Sequence, residues 1–173
     1  TVSVLYWRPE MAARSRAIES RLERLAPALE EFYVAGIVTL DERNLVARTR
    51  LTHEYKLVAR PLLAADVRRA IDFEQGLEDK IAAYTAGNKV QLKHRWAVLD
   101  RIESLFLISI PRLRDAEQRA LEDDFIAFLR RTGRNDALSR YLAEKVAKFP
   151  QEPRYWCLAS EWESEIGNAD HAR

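Results

Sequence analysis

The 173 residues carry 28 Lys and Arg against 27 Asp and Glu, a net charge of +1, and 47% of them are hydrophobic. That balance excludes a disordered chain and lacks the excess of base a general nucleic-acid binder shows, so any RNA contact must come from a local patch. One Cys excludes an internal disulfide, and there is neither an apolar run of membrane-spanning length nor a signal-peptide core, which points to a reducing compartment. Five Gly and six Pro in a background rich in Ala, Leu, Arg and Glu favour helix almost everywhere.

In chain order, Ile18, Leu22, Leu25, Leu29 and Phe32 fall at helical spacing and predict an amphipathic helix over 12–35, ended by a left-handed Gly36. Thr39-Leu-Asp-Glu42 has the form of a capping box, opening a second helix that runs to about Arg60 and is stopped by Pro61. A third helix is expected from Ala64 to Gly87-Asn88, a fourth from Val90 to Ile110, and a fifth capped by Asp115 and Gln118. Gly133 should end the fifth and Asn135 cap the sixth. The last stretch, Tyr155-Trp-Cys-Leu-Ala-Ser-Glu-Trp-Glu163, sets Trp156, Ala159 and Trp162 along one flank of a helix, followed by a Gly-Asn break and a new start at Ala172-Arg173. The Thr at position 1 and an ending inside this motif predict a piece of a longer protein whose array continues past Arg173.

The spacing of the tail recurs. Val67, Ala70, Phe73 and Glu74 show the same offsets as Trp156, Ala159, Trp162 and Glu163, and Phe125 and Phe128 take the second and third places of a weaker copy that has Glu122 first and Leu129 last. The last two copies lie 34 residues apart, the length of a helix-turn-helix unit, whereas the first two lie 55 apart, which places an insertion near Gly87-Asn88. Arg101 stands ten residues before Pro111, and Arg140 ten before Pro150. In such a pattern Ala159 lets a partner helix approach, Trp156 and Trp162 fill the space beside it, and Glu163 accepts a charge-assisted bond from a neighbouring helix. A single helix pair cannot hide its apolar face, so such pairs stack.

Aromatic, two residues, Ala, two residues, aromatic, Glu resembles the first helix of a half-a-TPR (HAT) repeat, which opens its partner helix with Ala-Arg. The resemblance implies an all-α fold of antiparallel helix pairs stacked as a right-handed α-solenoid, with residues 1–63 leading into an array of about two and a half repeats over 64–173. Leu22-x-x-Leu25-x-Pro-x-Leu29-Glu30, Gly36-Ile-Val-Thr39, His53-Glu-Tyr-Lys-Leu57, Asp66 through Phe73-Glu74 to Leu77-Glu78, and Ala137 to Pro150 together resemble the HAT-repeat subunit family of the UTP-B complex, the sixth of the U-three small nucleolar RNA-associated proteins. Membership would imply a non-catalytic, nucleolar scaffold in pre-ribosomal RNA processing and small-subunit assembly. Its partners would be WD-repeat propeller subunits of a large ribonucleoprotein, with pre-ribosomal or small nucleolar RNA reached indirectly or through local basic patches. Departures are the missing first aromatic and Glu of the middle copy and Leu138 where many HAT repeats have Arg. Alternatives are a HAT scaffold of messenger-RNA splicing or 3′-end formation, and an enzyme's helical subunit such as a protein prenyltransferase, whose Trp-x-x-Arg style motif is absent.

No catalytic, metal or cofactor site is expected. His53, His94 and His171 are isolated in sequence, none has ligand spacing to Cys157, and neither a phosphate loop nor a nucleophile elbow is present. The acidic pairs Asp123-Asp124 and Glu161 to Glu165 read as solvated helix faces. Candidate RNA or partner contacts are Arg48, Arg50, Lys56 and Arg60 on the second helix, Lys89, Lys93 and Arg95 on the fourth, and the aromatic pair Tyr6 and Trp7. A charged helix face is the competing reading of the first two groups.

Overall fold

The computed structural model of the chain describes residues 9–88 and 90–167, with side chains from Ser15 onward. These residues form seven α-helices and no strand: α1 (Pro9–Val34), α2 (Leu40–Leu57), α3 (Ala64–Asn88), α4 (Ala97–Ser109), α5 (Asp115–Arg131), α6 (Asn135–Lys148) and α7 (Pro153–Glu165), with a 3-10 turn at Ile110–Arg112. The chain divides into two compact units, Thr1–Leu121 and Glu122–Arg173. Tyr6, Trp7, Lys89 and the Ala172-Arg173 start lie outside the described residues.

In the first unit each helix packs on the next, α1 on α2, α2 on α3 and α3 on α4. Polar contacts give the direction. Ser15 near the start of α1 meets Tyr55 near the end of α2, and Glu30 near the end of α1 meets Arg43 near the start of α2, so the pair is antiparallel. Lys80 to Glu42 and Lys56 to Asp66 show the same for α2 and α3. Ile18 and Phe32 of α1, Val67, Ala70, Ile71 and Ile81 of α3, and Val98, Ile102, Leu105 and Phe106 of α4 form the apolar core. Burying each larger side chain contributes about 1.5–3 kcal/mol.

Local signals in the sequence explain the helix ends. Gly36 adopts φ +77°, and the N–H of Ile37 then returns to the carbonyl of Phe32 at 2.9 Å, closing α1 while delivering Ile37 and Val38 to the core. The Thr39 hydroxyl accepts from the Glu42 N–H at 3.2 Å, and the Glu42 carboxylate accepts from the Thr39 N–H at 2.8 Å, a complete capping box. Pro27 sits inside α1 on its exposed side, where the carbonyl it leaves without a donor is open to water. Helix α2 stops at Leu57, three residues short of the expected end, where Arg112 holds its C-terminal side by donating to the carbonyls of Leu57 and Ala59.

Helix α4 departs more from its expectation, beginning at Ala97 instead of Val90. The Glu31 carboxylate of α1 accepts the backbone N–H groups of Lys93 at 2.6 Å and His94 at 2.8 Å, and lies 2.8 Å from the His94 Nδ1. Amides that would have faced the first turn of a helix are thus committed to a side chain sixty-odd residues away.

In the second unit α6 packs on α7. Phe125, Phe128 and Leu129 from α5, Leu138 and Leu142 from α6 and Trp162 from α7 are buried, and the Phe125 and Tyr141 rings meet edge to face with centroids 4.9 Å apart. Gly133 at φ +66° ends α5. Asn135 is the first residue of α6, not its cap: Arg134 occupies that position, its N–H drawn back to the Leu129 carbonyl at 3.0 Å, and its guanidinium has no acceptor to offer the first-turn N–H groups.

Candidate functional site

Two buried charge centres organise the molecule, one in each unit. In the first, Arg50 of α2 places Nε and Nη2 at 2.9 and 2.8 Å from the two oxygens of Glu74 on α3, a bidentate pair. Arg101 of α4 donates from Nε to Glu74 at 2.7 Å and from Nη1 to Glu54 at 3.1 Å. Arg21 of α1 approaches the other Glu54 oxygen at 3.5 Å. Arg50, Glu54, Glu74 and Arg101, from three helices, are all buried, and the partly exposed Arg21 joins α1 to their network. Burial pushes the Glu74 carboxyl up, but the Arg50 and Arg101 guanidiniums outweigh it and hold it below the usual carboxylate range. His53, whose ring meets Phe73 edge-on at 5.6 Å, is lowered by burial and so favours its neutral form.

The second centre is built on Glu122, which is 1% exposed. Its carboxylate accepts from the Tyr141 hydroxyl at 2.8 Å, from the Tyr155 hydroxyl at 3.0 Å and from the Lys145 ammonium, with Arg154 at 3.9 Å. Lys145 also lies within 5.1–5.8 Å of the Tyr141, Phe149 and Tyr155 ring centroids. Burial raises the Glu122 carboxyl, and the bonds from Lys145 and Tyr141 more than reverse this, leaving it low. Burial and the neighbouring carboxylate push Tyr141 upward and Tyr155 to about 12, so both hydroxyls remain donors.

The recurrent residues fall into these centres unevenly. Val67, Ala70 and Glu74 are buried and Phe73 is half-buried; Phe125 and Phe128 are buried. In the tail, Trp162 is buried and donates from Nε1 to the Ser139 hydroxyl at 2.8 Å, while Ala159 and Glu163 are half-buried. Trp156 is the correction: expected to fill the space beside Ala159, it is 54% exposed and donates to the Pro150 carbonyl, and Tyr155 next to it takes the inward place. Glu74 and Glu163, equivalent by spacing, each bond a side chain 24 residues earlier, Arg50 and Ser139. The two arginines before Pro111 and Pro150 part company, since Arg101 is buried and Arg140 exposed.

The predicted contact residues also separate. Arg50 is interior, spent on Glu74, and Arg95 is held by Glu78 at 2.6 Å with its guanidinium over the Trp96 ring. Neither is available to a phosphate. Lys56, exposed, has Asp66 at 3.7 Å. Arg48, Arg60 and Lys93 are exposed. Sequence reasoning passed over Trp96, 59% exposed beside this basic run, and the inward-facing Glu54 and Glu122. Tyr141 and Lys145, one helical turn apart on the next helix, were the available signal for the latter. Among the described residues no group of three or more His, Cys, Asp and Glu side chains could hold a metal ion, and no helix is long and apolar enough to cross a membrane.

An apolar groove runs between α1 and α2, a cavity of about 270 Å³ lined by Leu22, Leu25, Ala26 and Leu29 on one side and Ala47, Arg48 and Leu51 on the other. Residues 22–101 match the family model described as U3 small nucleolar RNA-associated protein 6. The matched stretch is just under half of the chain, and it contains the groove, the Glu31 clasp and every member of the Arg50–Glu54–Glu74–Arg101 network. Comparison with curated proteins gives no match.

Proposed function

We propose that the chain acts as a non-catalytic scaffold in the processing of pre-ribosomal RNA, as a HAT-repeat subunit of the U3 small nucleolar ribonucleoprotein machinery in the nucleolus. The observation that carries this reading is the match of residues 22–101 to the U3 small nucleolar RNA-associated protein 6 family, over the helices that share the first charge centre. The shared 24-residue reach of Glu74 and Glu163 supports a repeating helix-pair unit, and stacked pairs offer long surfaces suited to holding other proteins. The partners in this reading are WD-repeat propeller subunits of the UTP-B assembly, with RNA met through local patches around Arg60 and Lys93. It involves neither membrane nor small-molecule substrate.

Purification of the tagged protein from nucleoli tests the reading. U3 small nucleolar RNA and propeller subunits are expected to be recovered together. Recovery of spliceosomal proteins without either would overturn it.

A further inference from the structure

Helix α2 buries charge on its inner face and exposes apolar side chains on the flank beside it. Its inward face carries the charges of Arg50 and Glu54, 3% and 1% exposed, beside the buried Val46 and Leu57, whereas Leu40, Leu51 and Tyr55 on the neighbouring flank are 47%, 37% and 50% exposed. A surface helix whose flank meets only water ordinarily carries polar residues there. Leu40, Ala47, Leu51 and Tyr55 follow one another at helical spacings of seven, four and four, a stripe whose middle, Ala47 and Leu51, lines the groove. Across from it, Leu22, Ala26 and Leu29 of α1 continue the apolar floor.

The groove's two rims differ in charge. On the α2 side Arg48 lines the groove, exposed, and forms no ion pair among the described residues. On the α1 side Glu23, one helical turn before Ala26, is exposed and likewise without an ion pair among the described residues. An elongated apolar floor between parallel ridges, with base on one rim and acid on the other, matches a single helix that has an apolar stripe edged by acid on one flank and base on the other.

We infer that the α1–α2 groove is a docking site for an amphipathic helix of a partner protein, laid along the groove with its acidic flank on Arg48 and its basic flank on Glu23. The apolar stripe of that helix covers Leu51, Tyr55 and Leu22, removing from water the side chains α2 leaves exposed. The exposed apolar flank has a physical basis in this arrangement: α2 lies between two partners, pairing its buried charges with α3 and α4 and its exposed leucines with the incoming helix. The charge asymmetry sets which way round the helix lies. This inference rests on the scaffold role above for the assembly in which the partner is met.

Site-specific photocross-linking in the assembly purified from nucleoli tests it. The photoreactive residue p-benzoyl-phenylalanine replaces Leu51 in one version of the protein and the exposed Asp72 of α3 in another. Cross-linking from position 51 to a single protein peptide is expected. Its sequence should have apolar residues three and four apart, with acid along one flank and base along the other, and position 72 should give no such product. The paired reversal Arg48→Glu and Glu23→Lys should lower the yield from position 51 about tenfold or more, since like charges then face each other on both rims. Both side chains are exposed, so an unchanged thermal melt confirms that folding is intact. Cross-links from position 51 to RNA, to a second copy, to the chain's own residues 1–8, or at the same yield as from position 72 would overturn the inference, as would no cross-link at all. Recovery of U3 RNA with a failed cross-link removes the groove and leaves the assembly role. A cross-linked amphipathic helix without U3 RNA does the reverse.

Discussion

Replacing Glu74 by Gln removes one negative charge from the interior of the first unit and leaves the shape almost unaltered. Glu74 receives two bonds from Arg50 and one from Arg101, at 2.7–2.9 Å, and the side chains on both sides are at most 6% exposed. Gln keeps one acceptor but turns an amide N–H₂ toward a guanidinium, so one donor faces another donor. Arg101 retains Glu54 at 3.1 Å, while Arg50 has no second carboxylate among its bonds and stays buried as an uncompensated cation. Breaking a buried pair in this way costs about 3–5 kcal/mol. Urea-dependent amide exchange in α2, α3 and α4 measures that loss where it occurs, separately from the second unit. Replacing the whole network by apolar residues, Arg50→Met, Glu54→Leu, Glu74→Leu and Arg101→Met together, should restore stability to within about 1 kcal/mol of the starting protein, because no charge is then stranded. A loss below about 1 kcal/mol for Glu74→Gln, or a quadruple variant as unstable as the single one, would refute the electrostatic account.

Three further outcomes follow from the same contacts. Trp162→Ala empties a buried aromatic site and is expected to destabilise the second unit by about 3–5 kcal/mol, whereas the half-exposed Trp156 should tolerate Ala within about 1 kcal/mol; equal losses in denaturant melts would remove the distinction. Thr39→Ala breaks the capping box and should cost about 0.5–2 kcal/mol, seen as faster amide exchange in the first turn of α2 and not in α3; uniform exchange would contradict it. Glu74 and Glu122 both have carboxyls lowered from 4.5 in the folded chain, so their stabilisation is complete above that value and is lost as pH falls through their lower folded values. Thermal melts should therefore drop progressively on acidification below about pH 4.5, and Glu74→Gln should flatten part of that slope.

The sequence was most legible where structure is decided within a few residues. Gly36, the Thr39 and Glu42 box, and the span of α3 from Ala64 to Asn88 all follow from local backbone chemistry. Arg50 and Arg95 were misread for one reason: an isolated charge on a helix is ordinarily solvated, and what draws Arg50 inward is Glu74 on another helix. The late start of α4 has the same origin, since nothing near Lys93 announces Glu31. Trp156 lost its inward place to Tyr155 because the hydroxyl of Tyr155 can serve the buried Glu122 carboxylate. Spacing alone does not distinguish two adjacent aromatics by which buried group they reach.

The Glu31 clasp bears on the order in which the first unit is completed as the chain leaves the ribosome. Helices α1 and α2 can pair as soon as both have emerged, yet Glu31 meets the amides it holds only when Lys93 and His94 follow, after the whole of α3 has passed. Until then a carboxylate on α1 stands idle, and the strip of α1 that receives the linker remains uncovered. Synthesis thus imposes a waiting interval on the first helix, ended by the segment that leads into the fourth.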